Sequence, residues 1–262
     1  MRWSPLLLLL WAATPAWAGS QSFDWLVDPV PEIQVGAVQT KLIQSYVPLG
    51  HPASEADGGG QTVATEDLVR TGFRALIGVS NHVALMYQLN VARPSGQSYQ
   101  YEGSEFGAHF RFYEGYGWKF GGAVELEWQR DPQYVENPLD IEFHPIIERD
   151  FGRISILLNP ILEKNLVGPD SHFGIEAGYA AQFLFHFSER YAAGIESYGD
   201  KGRLTSGGSA SRNQDYYLMP VVNAEFGKLN FSTGPGFGLT GASDQLVLKF
   251  NVGYSFALFP PS

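Results

Sequence analysis

The sequence predicts an all-β fold, a transmembrane up-and-down antiparallel β-barrel of about twelve strands. Three observations predict it. The last stretch, 244–259, alternates Leu246, Leu248, Phe250, Val252, Tyr254, Phe256 and Leu258 with Val247, Lys249, Asn251, Gly253, Ser255 and Ala257. Period two over such a run puts each set on one face, and the run exceeds the roughly 9–11 residues that a tilted membrane-crossing strand needs. Similar runs recur along the chain, separated alternately by tight turns and longer connections. The N-terminus, finally, reads as an export signal.

In chain order, Arg2 supplies a positive start, Leu6 to Ala13 an apolar run, and Ala16-Trp17-Ala18 a small-x-small cleavage site. Residues 1–18 are therefore expected to be a cleaved signal peptide, because the apolar run is far shorter than the roughly 20 residues of a membrane-spanning helix. No later segment is apolar enough for such a helix. Residues 19–32 are expected to form an N-terminal periplasmic segment, with plug, leader and disorder all open. The barrel then occupies 33–259 and a tail 260–262.

Period-two runs bounded by turn residues place strands at about 33–43, 67–77, 83–92, 104–113, 117–129, 138–148, 153–163, 171–186, 189–198, 215–225, 229–239 and 244–259. The first rests on Ile33, Val35, Ala37 and Gln39, while Pro220 and Pro235 remove ladder donors from the tenth and eleventh. Tight turns are expected at 78–82, 114–116, 149–152, 187–188 and 226–228. The longer connections are 44–66, 93–103, 130–137, 164–170 and 199–214, with a short closing loop at 240–243. Segregation of loop length by parity suits a membrane barrel with short periplasmic turns and long outer loops.

Faces agree from strand to strand. Trp118, Phe120, Val124, Leu126 and Trp128 alternate with Lys119, Gly121, Ala123, Glu125, Glu127 and Gln129, so one face is lipid-like and the other wet. The two tryptophans stand a strand length apart, as interfacial aromatic girdles require. With 30 Gly, 14% aromatics and a mean hydropathy of −0.11, apolar and polar faces cancel as a barrel demands.

The formal net charge is −10, one unit more negative once Arg2 leaves with the signal, which excludes nucleic acid as a partner. Zero cysteine excludes disulfides and thiolate chemistry. Inward positions nominate Arg70, Arg74, His109, Arg111, Lys119, Glu125, Glu127, Glu142, Glu176 and Glu196 as pore-lining, with a basic wall on the early strands facing an acidic wall on the later ones. Such charges either set which solutes a pore accepts or cross-link its interior.

Other motifs carry less. Gly234-Pro235-Gly236-Phe237-Gly238 follows strand periodicity with no helix after it, so no nucleotide or other cofactor is expected. The histidines at 51, 82, 109, 144, 172 and 186 show no H-x-x-x-H and no close carboxylate spacing that gathers them, so no metal site is expected. Ser80-Asn81-His82 supplies the residue types of a lipid-acting enzyme but occupies a turn, so no catalytic residue is assigned. The acidic loop Glu55 to Gly60 either binds a cation or is simply solvated.

Several of these residues together resemble a known family. Arg70-x-Gly72 through Gly78-Val79-Ser80-Asn81, Gly194-Ile195-Glu196, Gly234 to Gly238, and Leu239-Thr240-x-x-Ser243-Asp244 to Tyr254-x-Phe256 look like outer-membrane barrels labelled as transporters of the MetA pathway of phenol degradation. The resemblance spans roughly 65–259. It implies a Gram-negative outer-membrane channel for aromatic or other small hydrophobic compounds, no catalytic residues, and Glu196 as a lumen carboxylate. Outer-membrane barrels usually end on an aromatic residue, whereas here Phe259 is followed by Pro260-Pro261-Ser262.

The sequence-based expectation is thus a non-enzymatic channel for passive passage of small molecules, in the bacterial outer membrane. Its expected partners are outer-membrane lipids, small-molecule solutes and the barrel-assembly machinery. A lipid-acting outer-membrane enzyme and a non-conducting structural or adhesive barrel are the alternatives.

Overall fold

The computed structural model describes residues 25–31, 34–51, 54–55, 61–62, 64–129, 139–167, 171, 174–203 and 215–258. The segment expected to be a signal peptide, residues 56–60 of the acidic loop, His172 and the tail lie outside them. The strands are β1 (Ala37–Leu49), β2 (Ser54–Glu55), β3 (Gln61–Thr62), β4 (Leu68–Gly78), β5 (Val83–Arg93), β6 (Gln100–Gly115), β7 (Trp118–Gln129), β8 (Leu139–Phe151), β9 (Ile154–Val167), β10 (Glu176–His186), β11 (Tyr191–Arg203), β12 (Tyr216–Phe226), β13 (Leu229–Gly238) and β14 (Leu246–Ala257). Twelve of them close into one antiparallel barrel, β14 returning to β1, while β2 and β3 form a separate ribbon within the first long connection. No helix among the described residues is long and apolar enough to cross a membrane.

Alternation decides which side chains face out. Phe73, Phe106, Leu126, Trp128, Ile195 and Phe250 are exposed on the outer surface, while their chain neighbours turn into the barrel. Closure removes the free edges of the twelve-stranded wall, so its backbone donors and acceptors pair without water wherever the ladder is continuous. The tight turns at one end are built by glycine with φ of 65° at Gly152, 74° at Gly117 and 64° at Gly227, and by Ser80 and Ser188 hydroxyls that accept from backbone N–H groups.

Some boundaries differ from the sequence expectation. The first strand is Ala37–Leu49 rather than 33–43, because Ala37 N–H donates to the Gln34 carbonyl and Gly36 takes φ 77°, turning the chain into the wall only there. The fourth expected strand starts at Gln100 instead of 104: a bulge lets pairing continue past Asn90–Gly103 to Val91–Tyr101. The eighth starts at Glu176 instead of 171.

Two rungs of the wall are missing, for a reason visible in the register. Pairing of β8 with β9 runs to Phe143–Leu162 and resumes at Ile147–Leu158, which places Pro145 opposite Pro160. Pairing of β12 with β13 likewise skips from Leu218–Phe237 to Val222–Thr233, with Pro220 opposite Pro235. Proline has no N–H, so an opposed pair loses both ladder bonds at one place. In the second seam the strands press so close that a Cβ on Gly234 would stand 2.0 Å from the Pro220 carbonyl oxygen.

Candidate functional site

The described part of the N-terminal stretch, residues 25–31, lies inside the barrel. It is held along its length by side chains from several strands. Asn251 Nδ2 donates to the Trp25 carbonyl (3.3 Å). Asn159 clamps the Asp28 backbone twice, accepting from its N–H at 2.8 Å and donating to its carbonyl at 3.0 Å. Val30 N–H donates to Glu148 Oε2, and the Val30 methyls lie where a Cβ on Gly121 would come within 3.3 Å. Glycine at 121 therefore makes room for the segment, while the clamps give its backbone the partners that a sheet would otherwise supply.

Asp28 is the polar centre of this arrangement. Its Oδ2 accepts from Arg74 at 2.7 Å, and Lys41 stands 3.9 Å from its Oδ1. Burial alone would raise the Asp28 carboxyl, but Arg74 and Lys41 outweigh it and hold the group well below the usual carboxylate range. Arg74, almost fully buried, also donates to Gln88 Oε1 and lies 3.6 Å from Glu105. Gln88 and Asn90 both donate to Glu105 Oε1, at 2.8 and 2.6 Å.

Register places all ten nominated pore-lining residues on the inward set of their strands, but not as two opposed walls. Arg70 pairs with Glu102 (2.8 Å) and Lys119 with Glu148 (2.6 Å), both near neighbours. Glu196 accepts from Gln182 and Tyr198, each at 2.6 Å, and from buried Lys249. Arg111 sits at the tight-turn rim, bound to the Asn81 carbonyl and 3.6 Å from Glu114. Acids and bases are interleaved, and the correction to the two-wall picture comes from Lys249, Glu102, Glu105 and Glu148, inward charges that the sequence reading left out.

His109, Glu125, Glu127 and Glu142 are buried together on β6, β7 and β8. Glu125 stands opposite Glu142 and Glu127 opposite Asp140, while Glu163 of β9 stands opposite Glu142 and Glu176 of β10 opposite Glu163. Ligand-type atoms of Glu125, Glu142 and His144 lie within 4.8 Å of one another. The signal that could have found them is Glu142-Phe143-His144, since i and i+2 share a face of a strand.

Across the lumen the lining changes character. Leu157, Ala180, Leu184, Ala192, Met219 and Val221 form an apolar half, into which Trp25 and Val27 pack. The Trp25 ring meets Tyr198 and Tyr217 edge-on, with centroids 5.3 and 4.8 Å away. The small faces of Gly234 and Gly236 belong here, and a Cβ on Gly236 would collide with the Met219 methyl at 2.5 Å.

Serine and histidine do meet once. Ser155 Oγ lies 2.9 Å from His186 Nε2 and 2.7 Å from Asp150 Oδ1. The serine is central and donates its hydrogen bond to the carboxylate, so the acid does not orient the imidazole as a nucleophile-base-acid relay requires. Ser80 and His82 serve their turn, Ser80 Oγ accepting from two backbone N–H groups.

No known family matches the sequence. No curated protein matches it either. Solved structures do. The COG4313 outer membrane channel from Pseudomonas putida F1 is similar with a TM-score of 0.58 at 13% identity, over 88% of this chain and 100% of that one. The KdgM porin is similar with a TM-score of 0.54 at 11% identity, over 83% of this chain and 99% of that one. The fold is thus that of outer-membrane β-barrels.

Proposed function

We propose that the protein is an outer-membrane channel for small molecules, held shut at rest by its own residues 25–31. The observation that carries this reading is the segment's placement. A chain that needed only a filled barrel would complete it from the wall, as small barrels do with inward side chains. Here the filling is a separate segment of chain, tied by hydrogen bonds and by the pairing of Asp28 with Arg74 and Lys41, which water can replace when it leaves. Without it, the wall encloses a lumen that is charged on one side and apolar on the other.

The same lining suggests the solute class. Tyr198 and Tyr217 would present their rings where Trp25 now sits, beside Met219 and Val221. Small compounds with an aromatic or other apolar body and a polar edge match both halves. The Pro220–Pro235 seam borders the apolar half and offers such compounds a short way between lumen and bilayer. The long-loop end then faces outward, the tight turns lie in the periplasm, and the ten inward residues from Arg70 to Glu196 line the path. Passage is passive, and no catalytic step is assigned.

The test is liposome uptake of small aromatic and sugar solutes by the refolded barrel with residues 25–31 present and removed. Faster aromatic uptake on removal supports the reading; equal exclusion of both solutes by both proteins opposes it and favours the non-conducting alternative.

A further inference from the structure

Independently of whether the lumen conducts, we propose that Arg149, held between Trp118 and Phe151 on the outer wall, binds the phosphate of a phospholipid at the tight-turn end of the barrel. Arg149 belongs to the outward set of β8, two residues before exposed Phe151 and directly opposite exposed Trp118 of β7. On the other side it stands opposite Ile156 of β9, which is exposed as well. Its guanidinium carbon lies 4.8 Å from the centre of the Trp118 ring and 4.7 Å from that of Phe151. The Trp118 ring stacks in turn on Phe120, with centroids 5.6 Å apart. A cation therefore stands inside a belt of rings on the surface that meets lipid, at the strand end where such rings rest at headgroup depth.

The protein supplies this cation with no counter-ion among the described residues. Its chain neighbours Glu148 and Asp150 turn inward and hold Lys119, at 2.6 and 3.5 Å. What Arg149 receives is the Tyr116 carbonyl, which accepts from Nη1. Nε is shielded from solvent and has no acceptor, and the remaining Nη hydrogens find none among the described residues. Gly117 takes φ 74° and carries no Cβ, where one would stand 3.3 Å from Nη1, so the turn leaves that edge of the fork clear. A cation on the lipid side is costly unless it reaches an anion at the interface, and lipid phosphate is the anion at that depth. Guanidinium suits it, because a planar fork gives two parallel hydrogen bonds to phosphate oxygens and the two rings hold its plane. The choice of phospholipid over lipid A rests on the tight turns facing the periplasm, as the channel reading has them, and not on conduction.

The experiment is native mass spectrometry of the full mature chain, refolded in detergent and titrated in separate arms with phosphatidylglycerol, diacylglycerol and lipid A, with heat-modifiable migration as the check on folding. The wild type is expected to retain phosphatidylglycerol and to release diacylglycerol, which lacks the phosphate. Arg149→Gln is expected to weaken phosphatidylglycerol retention by about tenfold or more, and Arg149→Lys to fall between, because lysine keeps the charge and loses the fork. Equal retention by the wild type and Arg149→Gln, or diacylglycerol held as well as phosphatidylglycerol, would overturn the site. An Arg149→Gln barrel that loses lipid A and keeps phosphatidylglycerol would overturn it too, by placing this rim in the other leaflet. Should that variant fail to fold, the wild type is cross-linked with phosphatidylglycerol carrying a photoreactive headgroup: label on 116–118 or 149–153 upholds the site, and label confined to other parts of the barrel refutes it. Conduction is read separately, so failure here leaves the channel reading standing.

Discussion

In the proposed closed channel, Asp28 is the residue that ties residues 25–31 to the wall by charge. Its carboxylate accepts from Arg74 at 2.7 Å, and Arg74 is 4% exposed. Removing Asp28 leaves buried Arg74 with Gln88 and Glu105 and forfeits one charge-assisted bond, at a cost of about 1.5–3 kcal/mol. Once the segment leaves, water reaches Arg74 and that cost vanishes, so Asp28→Ala penalises the closed state selectively. Single-channel recording should show its closed fraction falling well below that of the wild type. Acidity has the same effect only in an extreme range. Docking lowers the Asp28 carboxyl below its ordinary 3.8, so its contribution is complete above that pH and is lost as pH falls through the lower, docked value. Closure is therefore expected to be unchanged through Asp28 between neutral pH and about 4, and weakened only under stronger acid.

Trp25 contributes through packing instead. It takes a left-handed φ of 49°, uncommon for an aromatic residue, and this strain is offset by its seat between Tyr198 and Tyr217. Trp25→Ala removes about 3–5 kcal/mol of buried contact from the docked state. Gly121→Val attacks the same state from the wall, because the added methyls must displace Val30. Both variants are expected to raise protease access to the segment, measured by limited digestion of the folded barrel, without changing heat-modifiable migration. A plug was one of three readings the sequence left open for this stretch, but the roles of Asp28 and Trp25 were not legible, since Asp28 meets Arg74 46 residues on and Asn159 131 residues on, and Trp25 meets Tyr198 and Tyr217 on late strands.

At the scale of elements, the strands were legible because period two and turn chemistry are local. The bounds that differ are those set by contacts the period does not register, such as the Gly36 turn ahead of β1 and the bulge in β6. The proline seams fall between these cases. Pro220 and Pro235 announced missing donors, but only the register showed that they oppose each other, as Pro145 and Pro160 do. Replacing Pro220 and Pro235 together by valine and alanine returns two ladder bonds. At about 0.5–1.5 kcal/mol each, this should raise stability by roughly 1–3 kcal/mol, read from urea unfolding in bilayers. If apolar solutes use the seam, their uptake slows in the same variant; uptake unchanged alongside raised stability would show the seam to be purely structural.

For the whole molecule, closure of the barrel and its inward charges were legible from strand parity, whereas the pairing of those charges was not. Lys119 meets Glu148, Lys249 meets Glu196 and Arg74 meets Asp28, so basic groups are largely spent on local partners. Among the described residues the acidic groups of β6 to β10 outnumber them, and the field in a vacated lumen should favour cations. Glu125→Gln with Glu127→Gln should reduce that preference in reversal-potential measurements.

The most direct test of closure by the N-terminal segment is single-channel conductance in planar bilayers, comparing the mature chain with one that starts at residue 32. The mature chain should open rarely, and the shortened one steadily with a preference for cations. A shortened barrel that is folded and heat-modifiable yet silent, or one that conducts no more than the mature chain, would contradict the account.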